Sequence, residues 1–319
     1  MNTEVIGTAK RGKAIAITGA TGYVGRFVVS ELLRQGCTIR ALTRPRSDRT
    51  GFDPSLSQAI TWIEGNLAPA SRLVDLVDGV DAVVHLAYDH IPGHYRGGEG
   101  GNLSPWLDAN VSGTLRLLTA ARDAQVPQFI FLSSRAVFSR TLPGQVLDET
   151  HPICPDTHYG AYKVAVEAFL QSFARIYGMM THSLRATGVY GMSWPVERSK
   201  WWSFITAVLA GHNPMTIRSG TEVHGMDVAK VVWTLVNQSR PDMDVVHLSD
   251  LVVSTRDIVA LTRQFAGIPG PLPDEPPAPP ANPLVCDRIT DLGLQFGGRP
   301  LLEQTINQLV QVAQQQNHA

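Results

Sequence analysis

The chain has 319 residues, 44% hydrophobic, 17% charged and 7% aromatic, enough apolar content for one large α/β domain or two modest ones. Lys and Arg number 27 against 28 Asp and Glu, a net charge of -1, which excludes a polyelectrolyte role on nucleic acid. No apolar run reaches the ~18–20 residues that span a bilayer, and three scattered cysteines predict neither a disulfide framework nor a zinc site.

The elements follow in chain order. Residues 14–18, Ala-Ile-Ala-Ile-Thr, predict a buried strand, and residues 23–34 a helix with Phe27, Val28, Leu32 and Leu33 on one face. Gly36 ends that helix. Strands are predicted at 37–43, 59–64 and 81–85, with a helix at 71–77 between the last two. A long helix spans 103–124, a strand 128–132, a second long helix 160–177 and a strand 181–185. Strands alternating with helices, each strand continuously apolar, predict a parallel sheet covered on both faces. Right-handed crossovers make it doubly wound. Further on, helices are predicted at 201–211, 226–238, 254–266 (with Ser254 as its cap) and 301–314. Residues 244–248 read as a strand returning to the sheet. The proline-rich stretch 267–283 reads as a rigid loop wrapping a smaller C-terminal lobe. The expected division is a dinucleotide-binding domain at 13–187, rejoined by 220–250, and a substrate-binding lobe from 188–219 and 251–319.

The turn Thr18-Gly19-Ala20-Thr21-Gly22-Tyr23-Val24-Gly25 joins the first strand to the first helix. Glycines there let backbone N–H groups approach a pyrophosphate, and the helix start adds partial positive charge. The alternative is a plain tight turn. An NAD site wants a carboxylate at the end of the second strand. This chain has Leu42-Thr43-Arg44-Pro45-Arg46 instead, so Arg44 is expected to pair with a 2′-phosphate, with Arg26 in support. NADP(H) is favoured over NAD(H). A solvated basic loop is the other reading.

Tyr159 and Lys163 are four apart at a helix start and so share a face. A tyrosine of ordinary pKa near 10 is too weak a base at neutral pH. An ammonium ~4 Å away stabilises the phenolate by ~4 kcal/mol at an effective dielectric of ~20, before lysine desolvation reduces it. That suits Tyr159 to general acid–base chemistry. Ser134, at the end of the fifth strand, is placed to hydrogen-bond a substrate oxygen. A surface helix pair is the bland alternative. His90 and His94 lack an evident third metal ligand, and Trp194, Trp201 and Trp202 read as lobe packing or pocket lining.

These motifs together resemble the extended short-chain dehydrogenase/reductases, the NAD(P)-dependent epimerase/dehydratase family. The similarity runs over residues 13–302. It includes Glu64-Gly65-Asn66-Leu67, His85-Leu86-Ala87, Asn110-Val111-Ser112-Gly113-Thr114, Ser133-Ser134, Leu184-Arg185-Ala186-Thr187-Gly188-Val189-Tyr190-Gly191 and His224-Gly225-Met226-Asp227-Val228-Ala229. The resemblance implies a Rossmann fold and a catalytic set of Ser134, Tyr159 and Lys163, with Asn110 supporting the end of the fourth strand. It implies cofactor contacts from Gly19, Thr21, Gly22, Tyr23, Val24, Gly25, Arg44, Asn66, Leu67, Leu86, Ala87, Tyr159 and Lys163. The long helices resemble those that pair in a homodimer. The chain departs from the sugar-nucleotide enzymes at two places. Gly188 stands where they present an Asn to the substrate diphosphate, and Gly220 where they often carry an Arg, although Arg218 is close by.

The expectation is therefore an NADP(H)-dependent oxidoreductase acting on a small-molecule carbonyl or alcohol, cytoplasmic, with no nucleic-acid or membrane partner. A nucleotide-sugar epimerase is the alternative. A non-catalytic NADPH-sensing module is the remote one.

Overall fold

The computed structural model describes residues 12–68, 72–91, 94, 97–139, 141–142, 145–212, 217–238, 244–276 and 282–318. Seven parallel strands form the main sheet: β1 (Ala14–Thr18), β2 (Thr38–Thr43), β3 (Ile60–Glu64), β4 (Ala82–His85), β5 (Gln128–Ser134), β6 (Met180–Ala186) and β9 (Asp244–Leu248). Their order is β3-β2-β1-β4-β5-β6-β9, so the direction of winding reverses between β1 and β4. In such a sheet, ligands bind beyond the strands' C-terminal ends at that reversal. Ile15, Ala16, Ile17, Val83, Val84, Ile130 and Phe131 are fully buried, as strands covered on both faces require.

One face of the sheet is covered by α1 (Tyr23–Arg34) and α7 (Gly225–Val236), through Val28, Val29, Leu32, Val228 and Val232. The other is covered by α2 (Arg72–Val77), α4 (Gly113–Asp123) and α5 (His158–Tyr177), through Leu76, Leu117, Leu118, Val166 and Leu170. The long helix predicted at 103–124 forms as three consecutive pieces. These are α3 (Leu103–Leu107), a π-helical turn at Asp108–Ser112, and α4. Strand β5 runs two residues past its predicted end and carries Ser134. Helix α5 starts two residues earlier than predicted, because Thr157 caps it by accepting from the Gly160 N–H at 3.0 Å.

A second sheet escapes the periodicity of the sequence: β7 (Gly188–Tyr190), β8 (Ser219–His224) and β10 (Leu251–Ser254), in the order β10-β8-β7. Strands of three, six and four residues, the first two containing glycine, carry no detectable alternation. Over this sheet lie α6 (Trp202–Leu209), α8 (Thr255–Ala266) and α10 (Gly298–His318). They meet in a core of Tyr190, Trp202, Ile205, Leu261, Leu302, Ile306 and Leu309. Ser254 caps α8 in a reciprocal box with Asp257. A short helix, α9 (Asp287–Asp291), returns Ile289 to the main core. Trp202 is thus lobe packing, whereas Trp194 is exposed and donates to the Thr50 hydroxyl at 3.0 Å.

Candidate active site

The glycine turn leaves β1 at the reversal point. Gly19 has φ +76°, in the region that favours glycine. A Cβ there would lie 2.8 Å from the Leu86 carbonyl carbon and 2.7 Å from the Ala87 nitrogen, so the loop presses against the end of β4. Gly22 donates to the Gly19 carbonyl at 2.9 Å, and Gly25 packs against Ala20. Gly22 begins α1 without a side-chain cap. The N–H groups of Tyr23, Val24 and Gly25, with Thr21 just before them, form an uncapped helix start that suits an anion.

Leu86 donates to the Thr18 carbonyl at 3.1 Å and Ala87 to the Thr18 hydroxyl at 3.3 Å. His85, fully buried, bridges Thr18 (2.6 Å) and Thr114 (2.8 Å). Burial pulls its pKa down to about 3, so it is a neutral clamp between β1, β4 and α4. Asn110, 2% exposed, accepts from the Asp89 N–H at 2.8 Å and donates to the carbonyls of Asp89 (2.9 Å) and Trp106 (3.0 Å). The π-helical turn aims this side chain, and the result fixes the backbone just beyond β4. Asn66 accepts from the Ala68 N–H at 2.8 Å, and the Leu67 carbonyl accepts from Arg116 at 2.7 Å.

Arg44 follows β2 and is exposed, and its guanidinium donates to the Asp89 carboxylate at 3.3 Å in a solvent-exposed ion pair. Arg26 does not join it. Its guanidinium is 5% exposed and donates to the backbone carbonyls of Asp48 and Thr50, which ties the loop after β2 to α1. The helical position after Gly25 points at that loop rather than at the glycine turn.

Ser134 ends β5, in register with Ala186, and accepts from the Ala136 N–H at 3.1 Å. The first turn of α5 packs on the same bend, since a Cβ at Gly160 would meet the Ala136 carbonyl. Tyr159 and Lys163 therefore descend from α5 toward the ends of β4 and β5. The Lys163 ammonium donates to the Leu132 carbonyl at 2.6 Å and lies 5.5 Å from the centre of the Tyr159 ring. Burial pulls Lys163 down to about 7, opposed by Glu167. The cost of burying lysine thus competes with its pull on the phenol.

Two further groups stand near this set, one of them at the start of the loop 88–101 that follows β4 and was expected to border the site. Tyr88 sits 4.9 Å from Tyr159, centre to centre, and 5.7 Å from the Lys163 nitrogen. Glu167 lies one helical turn beyond Lys163, bonded to the Ser133 hydroxyl and paired with Arg185 at 2.8 Å. The i,i+4 spacing from Lys163 to Glu167 was the available signal. Among the described residues no cluster of metal-ligating side chains occurs, and no helix is long and apolar enough to cross a membrane.

Comparison with known proteins adds three findings. The family model described as "NAD dependent epimerase/dehydratase family" matches residues 15–247. A 3 beta-hydroxysteroid dehydrogenase/Delta 5-->4-isomerase of Mycobacterium tuberculosis is 29% identical over 220 residues, 64% of this chain and 54% of that protein. The chain spans about half or less of the length of the first curated relatives it matches. Among solved structures, the UDP-N-acetylglucosamine 4-epimerase from Methanobrevibacter ruminantium in complex with UDP-N-acetylmuramic acid superposes with a TM-score of 0.79. It is 19% identical and covers 96% of this chain and 99% of that one. The Thermus thermophilus UDP-glucose 4-epimerase complex with NAD gives 0.75 at 19% identity, covering 94% and 99%. At these identities the likeness establishes the fold.

Proposed function

This chain belongs to the NAD dependent epimerase/dehydratase family, and from that premise we propose that it is an NADP(H)-dependent oxidoreductase acting on a carbonyl or alcohol of a small molecule. The observation that supports the reading is that the Lys163 ammonium reaches the Leu132 carbonyl, two residues before Ser134 at the end of β5, and lies 5.5 Å from the centre of the Tyr159 ring. The cradle suits a dinucleotide: an uncapped helix start for the pyrophosphate, and the ends of β3 and β4, with Asn66, Leu67, Leu86 and Ala87, along its length. When bound, the nicotinamide supplies or takes up a hydride.

The chain's own groups handle the proton. In reduction, the Ser134 hydroxyl donates a hydrogen bond to the carbonyl oxygen, which polarises it. The Tyr159 hydroxyl gives its proton to that oxygen as it becomes an alcohol. Lys163, held by the Leu132 carbonyl, stabilises the phenolate left behind. Oxidation runs the same roles backward, with Tyr159 as base. Asn110 and His85 hold the backbone of this wall in place and touch no substrate. The smaller lobe, built on β7, β8 and β10 with α6, α8 and α10, covers the substrate. Free cysteines at 37, 154 and 286 suit a reducing cytoplasm. Exposed Phe169 and Ile176 on α5, with an apolar groove between α2 and α4 lined by Val74, Leu115 and Ala120, support a homodimer built on α4 and α5.

A second reading, reversible oxidation of a nucleotide-linked sugar by an epimerase, is favoured by the UDP-sugar epimerases of like fold. Loss of NADPH absorbance decides between them: it is expected with a panel of simple carbonyls and absent with UDP-sugars. The 2′-phosphate assignment is tested by Arg44→Ala. Loss of its charge-assisted contact weakens NADPH about tenfold while NADH changes little, and equal losses for the two cofactors remove Arg44 from the assignment.

A further inference from the structure

Gly188 opens β7 and pairs in register with Glu222 of β8. A Cβ at Gly188 would collide with both the Glu222 carboxylate and the Lys200 ammonium, which form an ion pair in that space. The pair sits over the C-terminal edge of the main sheet. Gly188 is two residues beyond Ala186, the register partner of Ser134. The Lys200 N–H donates to the Tyr23 hydroxyl at 3.1 Å, and that hydroxyl donates to the Gly191 carbonyl at 2.7 Å. Lys200 is thereby tied to the first residue of α1, on one side of the cleft, and through Glu222 to the smaller lobe on the other.

The two side chains are 27% and 9% exposed. Burial pushes Lys200 down and Glu222 up, and each partner's charge opposes the shift of the other. Arg218, exposed at the rim, acts on both. One ammonium and one carboxylate therefore fill the space left by glycine at position 188, with the Arg218 charge acting on them from the rim.

We propose that the Lys200–Glu222 pair sets the substrate class of this cleft: by neutralising Lys200, Glu222 selects neutral, hydroxyl-bearing substrates and turns away nucleoside diphosphates. The proposal rests on the oxidoreductase reading above and deepens it. A substrate hydroxyl can donate to the Glu222 carboxylate or accept from the Lys200 ammonium without unbalancing the pair. A diphosphate brings several negative charges against a carboxylate already short of water. Without that carboxylate the ammonium loses its counter-ion, and a diphosphate becomes the natural one.

The test titrates wild type, Glu222→Gln and the double variant Glu222→Gln/Lys200→Met with UDP, with and without NADPH, and measures NADPH binding separately. Glu222→Gln is expected to bind UDP at least about tenfold tighter than wild type, and the double variant to lose the gain. Equal UDP affinity in wild type and Glu222→Gln, or a gain that survives loss of Lys200, overturns the proposal. Should Glu222→Gln not fold, Lys200→Gln leaves Glu222 without its cation and is expected to bind UDP more weakly than wild type. Affinity equal to or tighter than wild type then overturns it. Failure of every form to bind NADPH or NADH strikes the oxidoreductase reading, while the UDP comparison still decides the role of the pair.

Discussion

Two lysines flank the cleft, and they are buried against different partners. Lys163, 4% exposed, donates to a neutral carbonyl and has its nearest carboxylate one helical turn away. Lys200 is in direct contact with Glu222. A buried ammonium without an adjacent counter-ion is unstable alone and responsive to any group that gains negative charge nearby. A paired one is electrically silent and serves shape and selection. The proposed function therefore puts reactivity on the Lys163 side, with Tyr159 and Ser134, and the proposed discrimination on the Lys200 side.

The largest effect expected from breaking this division is at Tyr159. Tyr159→Phe removes the transferable proton and keeps the ring against Tyr88, so turnover should fall about 10²–10⁴-fold while NADPH still binds. Retention of full turnover would move the acid–base role elsewhere.

Next is Glu167. It and Arg185 are both nearly inaccessible to solvent, and Glu167 also holds the Ser133 hydroxyl. Glu167→Gln strands Arg185 as a buried charge, at a cost of about 3–5 kcal/mol, read as a drop in the denaturant midpoint. It also takes away the one carboxylate that raises Lys163, so the lysine should titrate lower still. An unchanged midpoint would show that Arg185 finds water or another acceptor.

How much of this was legible in the sequence follows the range of each interaction. The glycine turn, the Tyr159–Lys163 spacing and the Ser254 cap lie within one turn of helix or loop, so residue spacing alone locates them. Arg26 shows the limit. Its place beside the glycines suggested an anion ligand, but the helix turns it toward the Asp48 and Thr50 carbonyls, a choice set by tertiary packing. The Lys200–Glu222 pair joins a loop to a six-residue strand across β7. No periodicity marks either residue, and only the absence of a side chain at Gly188 hints that something else fills that space.

The contrast between the lysines sharpens with pH. Lys163 sits near 7 in the folded chain against the ordinary 10.5, so between about pH 7 and pH 10 the unfolded chain holds a proton that the folded chain has released. Stability from this site should therefore rise with pH through that window, with a slope approaching ~1.4 kcal/mol per pH unit. Below pH 7 both forms are charged and the desolvation penalty is fully present. Lys163→Met has no such proton, so its denaturant midpoint should lack this component of the slope. Parallel pH profiles in the two proteins would mean that Lys163 stays charged when buried, and with it the distinction between the lysines would go.

The smallest effect lies away from the cleft, in the lobe that carries the selecting pair. Ser254 accepts from the Asp257 N–H at 3.0 Å while Asp257 accepts from the Ser254 N–H at 2.9 Å. Ser254→Ala removes one half of this box and should cost ~1 kcal/mol of stability. Because α8 packs on α6 and α10 through Ile258 and Leu261, fraying of its first turn loosens the lobe and leaves the main sheet untouched. Hydrogen exchange should then quicken in α8 and β10 and stay unchanged in β1, β4 and β5. Quickening across both sheets would mean that the lobe and the nucleotide half unfold as one unit, so that reactivity and discrimination share a single scaffold.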